Sequence, residues 1–258
     1  MAKEKLTIVK VGGAVVEDPD RLAQLLTSFS NIEGRKLMVH GGGRLATQTA
    51  ARLGIETTMV NGRRVTDADM LQVVTMVYGG LVNKNIVAQL QARGVNAIGL
   101  TGADLNIIRS RKRPPADVDY GFVGDVESVG ATMLSTLIET GTTPVLAPLT
   151  HDGHGTMLNT NADTIASATA MALAPLYDTT LVFSFEKNGV LADPEDPSTT
   201  IPIISRADYK RLLVQGTISG GMIPKLDAAF KAIDAGVSRV VITLATALDG
   251  RHGTTIVP

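Results

Sequence analysis

The chain has 258 residues, 44% of them hydrophobic and 19% charged, which suits a globular protein able to bury a substantial core without covalent staples. A net charge of −1 gives no basis for a nucleic-acid partner or a membrane surface, and the absence of cysteine excludes disulfides and thiolate metal sites. Aromatic residues are only 3% and tryptophan is absent, so Ala, Val, Ile and Leu must build the core. The cysteine-free composition fits the cytoplasm, and Met1-Ala2-Lys3-Glu4-Lys5 runs into Leu6 with no signal-like apolar stretch. The longest apolar run, near 240–248, is broken by threonines and too short to span a bilayer.

Leu6-Thr7-Ile8-Val9-Lys10-Val11-Gly12-Gly13 reads as a β-branched strand with a lysine inside it, closed by two glycines. A buried lysine is costly unless its charge meets an anion, and paired glycines bring backbone N–H groups close to a ligand. A phosphate site fits this stretch; so does a snorkelling lysine beside a plain turn. Asp18-Pro19 is a helix start, with Asp18 as cap, and that helix runs to about Asn31. A second strand, Lys36–His40, ends on Gly41-Gly42-Gly43, and a helix begins near Arg44 and closes on Gly54. Three consecutive glycines imply close approach of something to the backbone.

Thr66 and Asp69 resemble a capping box opening a long helix to about Arg93, with Gly79-Gly80 as a kink or a ligand contact. Arg64, just before it, could fork onto a carboxylate or be solvated. Val95–Leu100 is a strand. Arg109–Arg113 is the basic run; without interleaved aromatics it reads as a solvated hairpin tip, returning through Tyr120–Val126. A helix near Thr132–Thr140 and a strand near Pro144–Leu149 follow. His151 and His154 lie in a glycine-rich segment without metal-site spacing, so a polar turn is expected and no metal ligand is assigned. Asn159, Asn161 and Asp163 crowd the start of an alanine-rich helix stopped by Pro175; capping explains one of them easily, but not three. Thr179–Phe185 is a strand, Ala207–Gln215 a helix, and Gly220-Gly221-Met222-Ile223-Pro224-Lys225 opens a helix ending at Gly236. Strands over Val237–Leu244 and Gly253–Val257 close the chain. Alternating strands and helices imply an α/β fold with a mainly parallel sheet.

No GxxxxGK[ST] loop, no GxGxxG after a strand, no protein-kinase motif set and no GxSxG elbow is present. What remains is two lysines at glycine-rich turns, an aspartate at a helix start and clusters of amides. Phosphoryl transfer needs little else, because its transition state is stabilised mainly by positioning and positive charge. Asp163 could hold both lysines, and magnesium would be held mostly by phosphates and water.

Lys10-Val11-Gly12-Gly13, His40-Gly41-Gly42-Gly43, Gly62-Arg63-Arg64-Val65-Thr66, Asn159-Thr160-Asn161-Ala162-Asp163 and Gly221-Met222-Ile223-Pro224-Lys225 occur in order across nearly the whole chain. Together they resemble the amino-acid kinase family, and within it the N-acetylglutamate kinases of arginine biosynthesis. The resemblance implies one domain over 1–258, a three-layer αβα sandwich around a central, mainly parallel sheet. It implies an acceptor lobe over 1–175 and an ATP-binding lobe over 176–258. It implies transfer of the ATP γ-phosphoryl group to the side-chain carboxylate of an N-acylated glutamate. Lys10 and Lys225 would stabilise the transferring group and Asp163 would organise them. Gly12 and Gly13 would face phosphate; Gly42 and Gly43 would receive the acceptor through backbone amides; Arg64 and Asn159 would hold its α-carboxylate and acylamino region. Glu186, Lys187, Asn188, Gly189, Val190 and Leu191, with Thr217 and Ser219, would line the nucleotide.

Two departures stand out. Glu186-Lys187 replaces the Asp-Val common in the family, and Pro224 precedes Lys225. Few residues precede Leu6, whereas arginine-inhibited hexameric members carry an extra N-terminal helix, so a homodimer insensitive to arginine is expected. Rivals on the same fold are kinases for N-succinylglutamate, carbamate, aspartate or nucleoside monophosphates. The Arg64 and Asn159–Asp163 segments favour an acylated glutamate without fixing the acyl group. A non-catalytic binding protein is disfavoured because Lys10, Lys225 and Asp163 are all present.

Overall fold

The structure, a computed structural model, describes residues 2–185, 187–193, 195–218, 222–248 and 252–258. Strand β1 (Lys5–Val11) lies between β2 (Arg35–His40) and β11 (Asp178–Phe185) and is parallel to both. Leu6, Ile8, Val9 and Val11 are fully buried, as a parallel strand covered on both faces requires. Outward from β2 come β8 (Thr143–Leu146) and β5 (Ala97–Leu100), both parallel to it. On the other side β13 (Arg239–Leu244) is parallel to β11, while β14 (Thr254–Ile256) and β12 (Ile203–Ile204) run the opposite way at the edge. The eight-stranded order is β12-β14-β13-β11-β1-β2-β8-β5.

Helices cover both faces. Leu6 and Ile8, with Leu37, Val39, Leu181 and Ile242, pack against α6 (Ala131–Glu139), α7 (Ala162–Leu173) and α9 (Met222–Asp234), through Leu134, Ile165, Leu173, Leu226 and Phe230. Val9, Val11, Met38 and Val145 face α2 (Pro19–Ser30), α3 (Gly43–Arg52), α4 (Ala68–Val74) and α5 (Asn83–Gln91). A short helix, α1 (Gly13–Val16), follows β1, and α8 (Arg206–Val214) follows β12 behind a Ser205 capping box. The expected three-layer αβα sandwich is present.

Two features go beyond the expected elements, although β7 overlaps the returning strand expected over Tyr120–Val126. A second, four-stranded sheet, β10-β9-β6-β7, is built from β6 (Ile108–Lys112), β7 (Gly124–Val129), β9 (Leu149–His151) and β10 (Met157–Asn159). A two-residue hairpin pairs β3 (Met59–Val60) with β4 (Arg63–Arg64). The basic run is therefore mostly strand β6 rather than a hairpin tip, and residues 113–123 make the connection. His154 lies in the expected polar turn between β9 and β10, where the Asp152 carboxylate accepts from the N–H groups of His154 and Thr156, whereas His151 is the last residue of β9 and pairs with Met157.

The expected Thr66–Asp69 capping box is replaced by Asp67, whose carboxylate accepts from Met70 N–H at 2.8 Å. Thr66 is fully buried and already committed: its N–H donates to Tyr120 O, and its carbonyl accepts from Phe122 N–H. Pairing with 120–122 holds Thr66 in extended backbone, so the helix starts one residue later. That pairing needs Gly121, with φ +70° and an added Cβ only 2.2 Å from Thr66 O. Gly79-Gly80 do not break the helix. Thr75–Val82 forms a π-helical stretch joining α4 to α5, and an added Cβ on Gly79 would touch Leu149 and Thr101.

His40 ends β2 with no exposed surface. Burial lowers its pKa to about 4; the bond to the Gly41 carbonyl opposes this shift and nearby Lys84 adds to it. The unfolded chain binds a proton near pH 6.5 that the native state refuses until about pH 4. Stability from this group is complete above about pH 6.5 and falls as pH drops toward 4, by at most roughly 1.4 kcal/mol per pH unit. Urea titrations at pH 7, 6 and 5 should give a falling midpoint, with a shallower fall in His40→Asn. An unchanged slope in that variant would assign the acid sensitivity to other groups.

Candidate active site

Both glycine turns sit at the carboxyl ends of neighbouring parallel strands, where open α/β sheets bind ligands. They touch each other. Gly41 N–H donates to Val11 O at 2.9 Å, an added Cβ on Gly41 would come 3.0 Å from Gly13 N, and one on Gly13 would lie 3.4 Å from both Gly42 N and Gly43 N. The glycines are thus needed first for contact between the two turns. Gly42 is also pinned by φ +155°, with Tyr78 and Val82 at 3.3 Å from any added Cβ. Gly42 caps α3, and Glu17 Oε1 accepts from Leu45 N–H at 2.9 Å, satisfying one open donor of that helix. The Gly42 and Gly43 N–H groups have no hydrogen-bond partner among the described residues, and both glycines line a cavity of about 340 Å³.

The cavity is also lined by Arg63, Arg64, Tyr78, Arg113, Asp125 and Asn159. Asn159 is held at both ends: its N–H donates to Phe122 O, and its side-chain Nδ2 donates to Thr66 Oγ1 at 2.9 Å. Arg64 is buried, and its Nη2 donates to Gly43 O at 2.7 Å and to Thr47 Oγ1 at 2.9 Å. Its Nη1 reaches Thr57 Oγ1 at 3.3 Å and Met70 Sδ at 3.8 Å, so a fork onto a carboxylate requires exchanging one of these contacts. Arg113 Nε lies 3.2 Å from both Asp125 oxygens, and the guanidinium holds the Asp125 carboxyl below the usual carboxylate range. Arg113, Tyr78 and Asp125 were not among the sequence candidates. Arg113 was grouped with a solvated run, and Tyr78 carries no local motif.

Lys10 points to the α7 face of the sheet, and its Nζ meets Asp163 Oδ1 at 2.8 Å; the two side chains are 16% and 34% exposed. Asp163 is in the first turn of α7, where Asn161 caps by accepting from the N–H groups of Asp163 and Thr164. Capping thus accounts for Asn161, Thr66 for Asn159, and Lys10 for Asp163. Asp163 and Lys225 line a second cavity, about 790 Å³, between β7, α7 and α9. Arg63, Asn161 and Thr164 line both cavities, so they abut at the start of α7. Lys225 Nζ stands 3.6 Å from the centroid of the Phe185 ring.

Gly189 has φ +127° and packs against Thr254, whose Oγ1 accepts from Val190 N–H at 2.7 Å. Val190 and Leu191 bury their side chains. Neither cavity is lined by Lys10, Gly12, Gly13, Lys187, Asn188, Gly189, Val190, Leu191 or Thr217. Glu186 and Ser219, with Gly220 and Gly221, lie outside the described residues. Among the described residues no cluster of three or more His, Asp or Glu side chains is arranged to hold a metal.

The family model for the amino acid kinase family matches residues 5–244. The chain belongs to the amino acid kinase family. An acetylglutamate kinase from Phocaeicola vulgatus is 67% identical over 98% of this chain and 99% of its own length. The solved structure of a Streptococcus mutans UA159 protein has a TM-score of 0.79 at 29% identity, covering 98% of each chain. The N-acetylglutamate synthase of Neisseria gonorrhoeae, solved with coenzyme A and N-acetyl-glutamate, has a TM-score of 0.83 at 21% identity, covering all of this chain and 60% of that one. At that identity the last likeness concerns the amino acid kinase fold alone.

The unequal exposure of Lys10 and Asp163 sets an order of effects. Asp163→Asn leaves the less hydrated partner charged and unpaired, at an expected cost of about 1–3 kcal/mol. Lys10→Met leaves the better hydrated one and should cost less. Urea denaturation at pH 7.5 measures both, and the reverse order would contradict this account of the pair.

Proposed function

We propose that this chain transfers the γ-phosphoryl group of ATP to the side-chain carboxylate of N-acetyl-L-glutamate, giving the acyl phosphate and ADP for arginine biosynthesis. The observation that carries the reading is the Lys10–Asp163 ion pair, whose aspartate lines the groove bearing Lys225 where that groove abuts the arginine- and amide-lined cavity. The P. vulgatus relative's name agrees with it.

The acceptor occupies the smaller cavity. Gly42 and Gly43 donate their amides to it, Asn159 engages the acylamino group, and Arg64 takes the α-carboxylate by exchanging a contact such as that to Thr57. The acceptor carboxylate is already ionised at neutral pH, so its oxygen attacks the γ-phosphorus with no proton to remove. The bond from phosphorus to the bridging oxygen breaks and ADP leaves. Such a reaction asks for cations and amides rather than a base, which is the character of this seam. Lys10 and Lys225 neutralise the transferring group from two sides, Asp163 keeps Lys10 directed there, and Gly12 and Gly13 face the phosphates. The nucleotide enters as its magnesium complex, with the metal held by phosphates and water. Residues 1–175 act as the acceptor lobe and 176–258 as the ATP lobe, with Glu186–Leu191, Thr217 and Ser219 along the nucleotide.

A second reading, N-succinyl-L-glutamate as acceptor, is favoured by one observation. Arg63 brings a guanidinium group to the cavity beyond Arg64, Arg113 being already paired with Asp125, and a succinyl group carries a second carboxylate to meet it. The working unit is a homodimer in the cytoplasm, where ATP is available. Met76 and Leu81, 54% and 50% exposed on the π-helical stretch, supply apolar contact area for the dimer.

ADP release is measured with MgATP, hydroxylamine and a panel of N-acetyl-L-glutamate, N-succinyl-L-glutamate, aspartate and carbamate. Trapped hydroxamate with N-acetyl-L-glutamate supports the leading reading, and preference for the succinyl compound moves it to the second. Lys10→Ala should lower kcat about 100- to 1,000-fold while ATP still binds. Undiminished turnover in that variant would remove Lys10 from the mechanism.

A further inference from the structure

His40 takes no part in the chemistry described above, yet it is completely buried one residue before the glycine turn. Its Nδ1 lies 2.8 Å from Gly41 O and its Nε2 3.1 Å from Asn83 Nδ2. Asn83 is almost fully buried at the start of α5, and the same Nδ2 donates to Val145 O in β8 at 3.0 Å. A carbonyl oxygen only accepts, so Val145 requires the nitrogen of the Asn83 amide to face it. That nitrogen then presents its second hydrogen to His40 Nε2, which must accept. The ring proton is therefore on Nδ1, donating to Gly41 O. The Asn83 side-chain oxygen lies beside Gly99, where an added Cβ would stand 1.8 Å away, so only glycine at 99 leaves room for the Asn83 side chain.

A trans peptide is planar, and its C=O and N–H point in opposite directions. Fixing Gly41 O therefore fixes the direction of Gly42 N–H, which belongs to the same peptide unit, has no hydrogen-bond partner among the described residues and sits on a residue lining the smaller cavity. The next unit is set independently, because Gly42 O accepts from Ala46 N–H at 3.1 Å within the first turn of α3.

We propose that His40, locked by Asn83 as the neutral Nδ1–H tautomer, is a positioning residue that aims the Gly42 amide at the acceptor. This rests on the reading of the smaller cavity as the acceptor site. It adds a chain from β8 through Asn83 and His40 to the peptide that touches substrate, with no substrate contact of its own.

Two variants separate positioning from packing. In His40→Asn the side-chain nitrogen can take the place of Nδ1 and still donate to Gly41 O, although volume is lost. In His40→Gln the amide reaches the place of Nε2, keeping volume and the Asn83 contact but not the donor to Gly41. Positioning predicts that His40→Gln raises KM for the acylglutamate about 10- to 100-fold with KM for ATP within about two-fold, while His40→Asn stays near native. Packing alone predicts the opposite ranking, and that ranking, or equal native-like kinetics in both, overturns the proposal. If neither variant folds, ring ¹⁵N NMR of the native protein decides: a proton on Nδ1 at pH 7 supports the proposal, and one on Nε2 or on both nitrogens overturns it. Silence of the native chain with every acceptor would sink the acceptor assignment, and with it the aiming role, while the ring spectrum still judges the tautomer separately.

Discussion

Lys10 carries a charge near the carboxyl end of a central strand that is otherwise filled by Leu6, Ile8, Val9 and Val11. Such a charge is tolerated only beside a countercharge, and Asp163 supplies it from the first turn of α7 on the layer above. The pair ties the central strand to the helix that begins where the two cavities meet. Its position governs much else. β1 must end in glycine directly after Lys10-Val11 for the second turn to lie against it, and α7 must begin with Asn161 as cap for Asp163 to face the sheet.

The glycine turns are better understood as a mutual fit than as two separate ligand loops. Gly13, Gly41 and Gly42 are each within contact distance of a neighbouring turn or of Tyr78. That packing leaves the Gly42 and Gly43 N–H groups without a hydrogen-bond partner among the described residues, on two residues that line the smaller cavity. Preorganised donors and fixed cations are what a transfer between two anions needs, since mutual repulsion of the reactants is the main obstacle and no proton has to move. The Arg113–Asp125 pair and the Asn159–Thr66 bond hold other residues of the same cavity lining in place.

Much of this was legible in the sequence because the signals are local. Strands ending in glycines, Asp18 before Pro19, Asn161 before an alanine-rich helix and lysines at glycine turns all read directly. Of the second sheet only the strand overlapping β7 read directly, because β9 and β10 are three residues each and β6 was masked by its own charge. Thr66 was misread for a related reason. Its pattern matches a helix cap, but pairing with Tyr120–Phe122 claims its backbone first. The His40–Asn83–Val145 chain joins three elements remote in sequence, and a buried histidine has no local signature. Arg113 became a cavity residue only once β7 brought Asp125 beside it.

The central claim is that a carboxylate oxygen of the acceptor attacks the γ-phosphorus. Acceptor labelled with ¹⁸O in its side-chain carboxylate would be turned over with MgATP and hydroxylamine, and the released phosphate examined by mass spectrometry. Hydroxylamine attacks the acyl carbon of the product and expels phosphate that keeps the former carboxylate oxygen. One ¹⁸O per phosphate is the result this account predicts. Unlabelled phosphate would mean that water, not the acceptor, receives the phosphoryl group, and would contradict it.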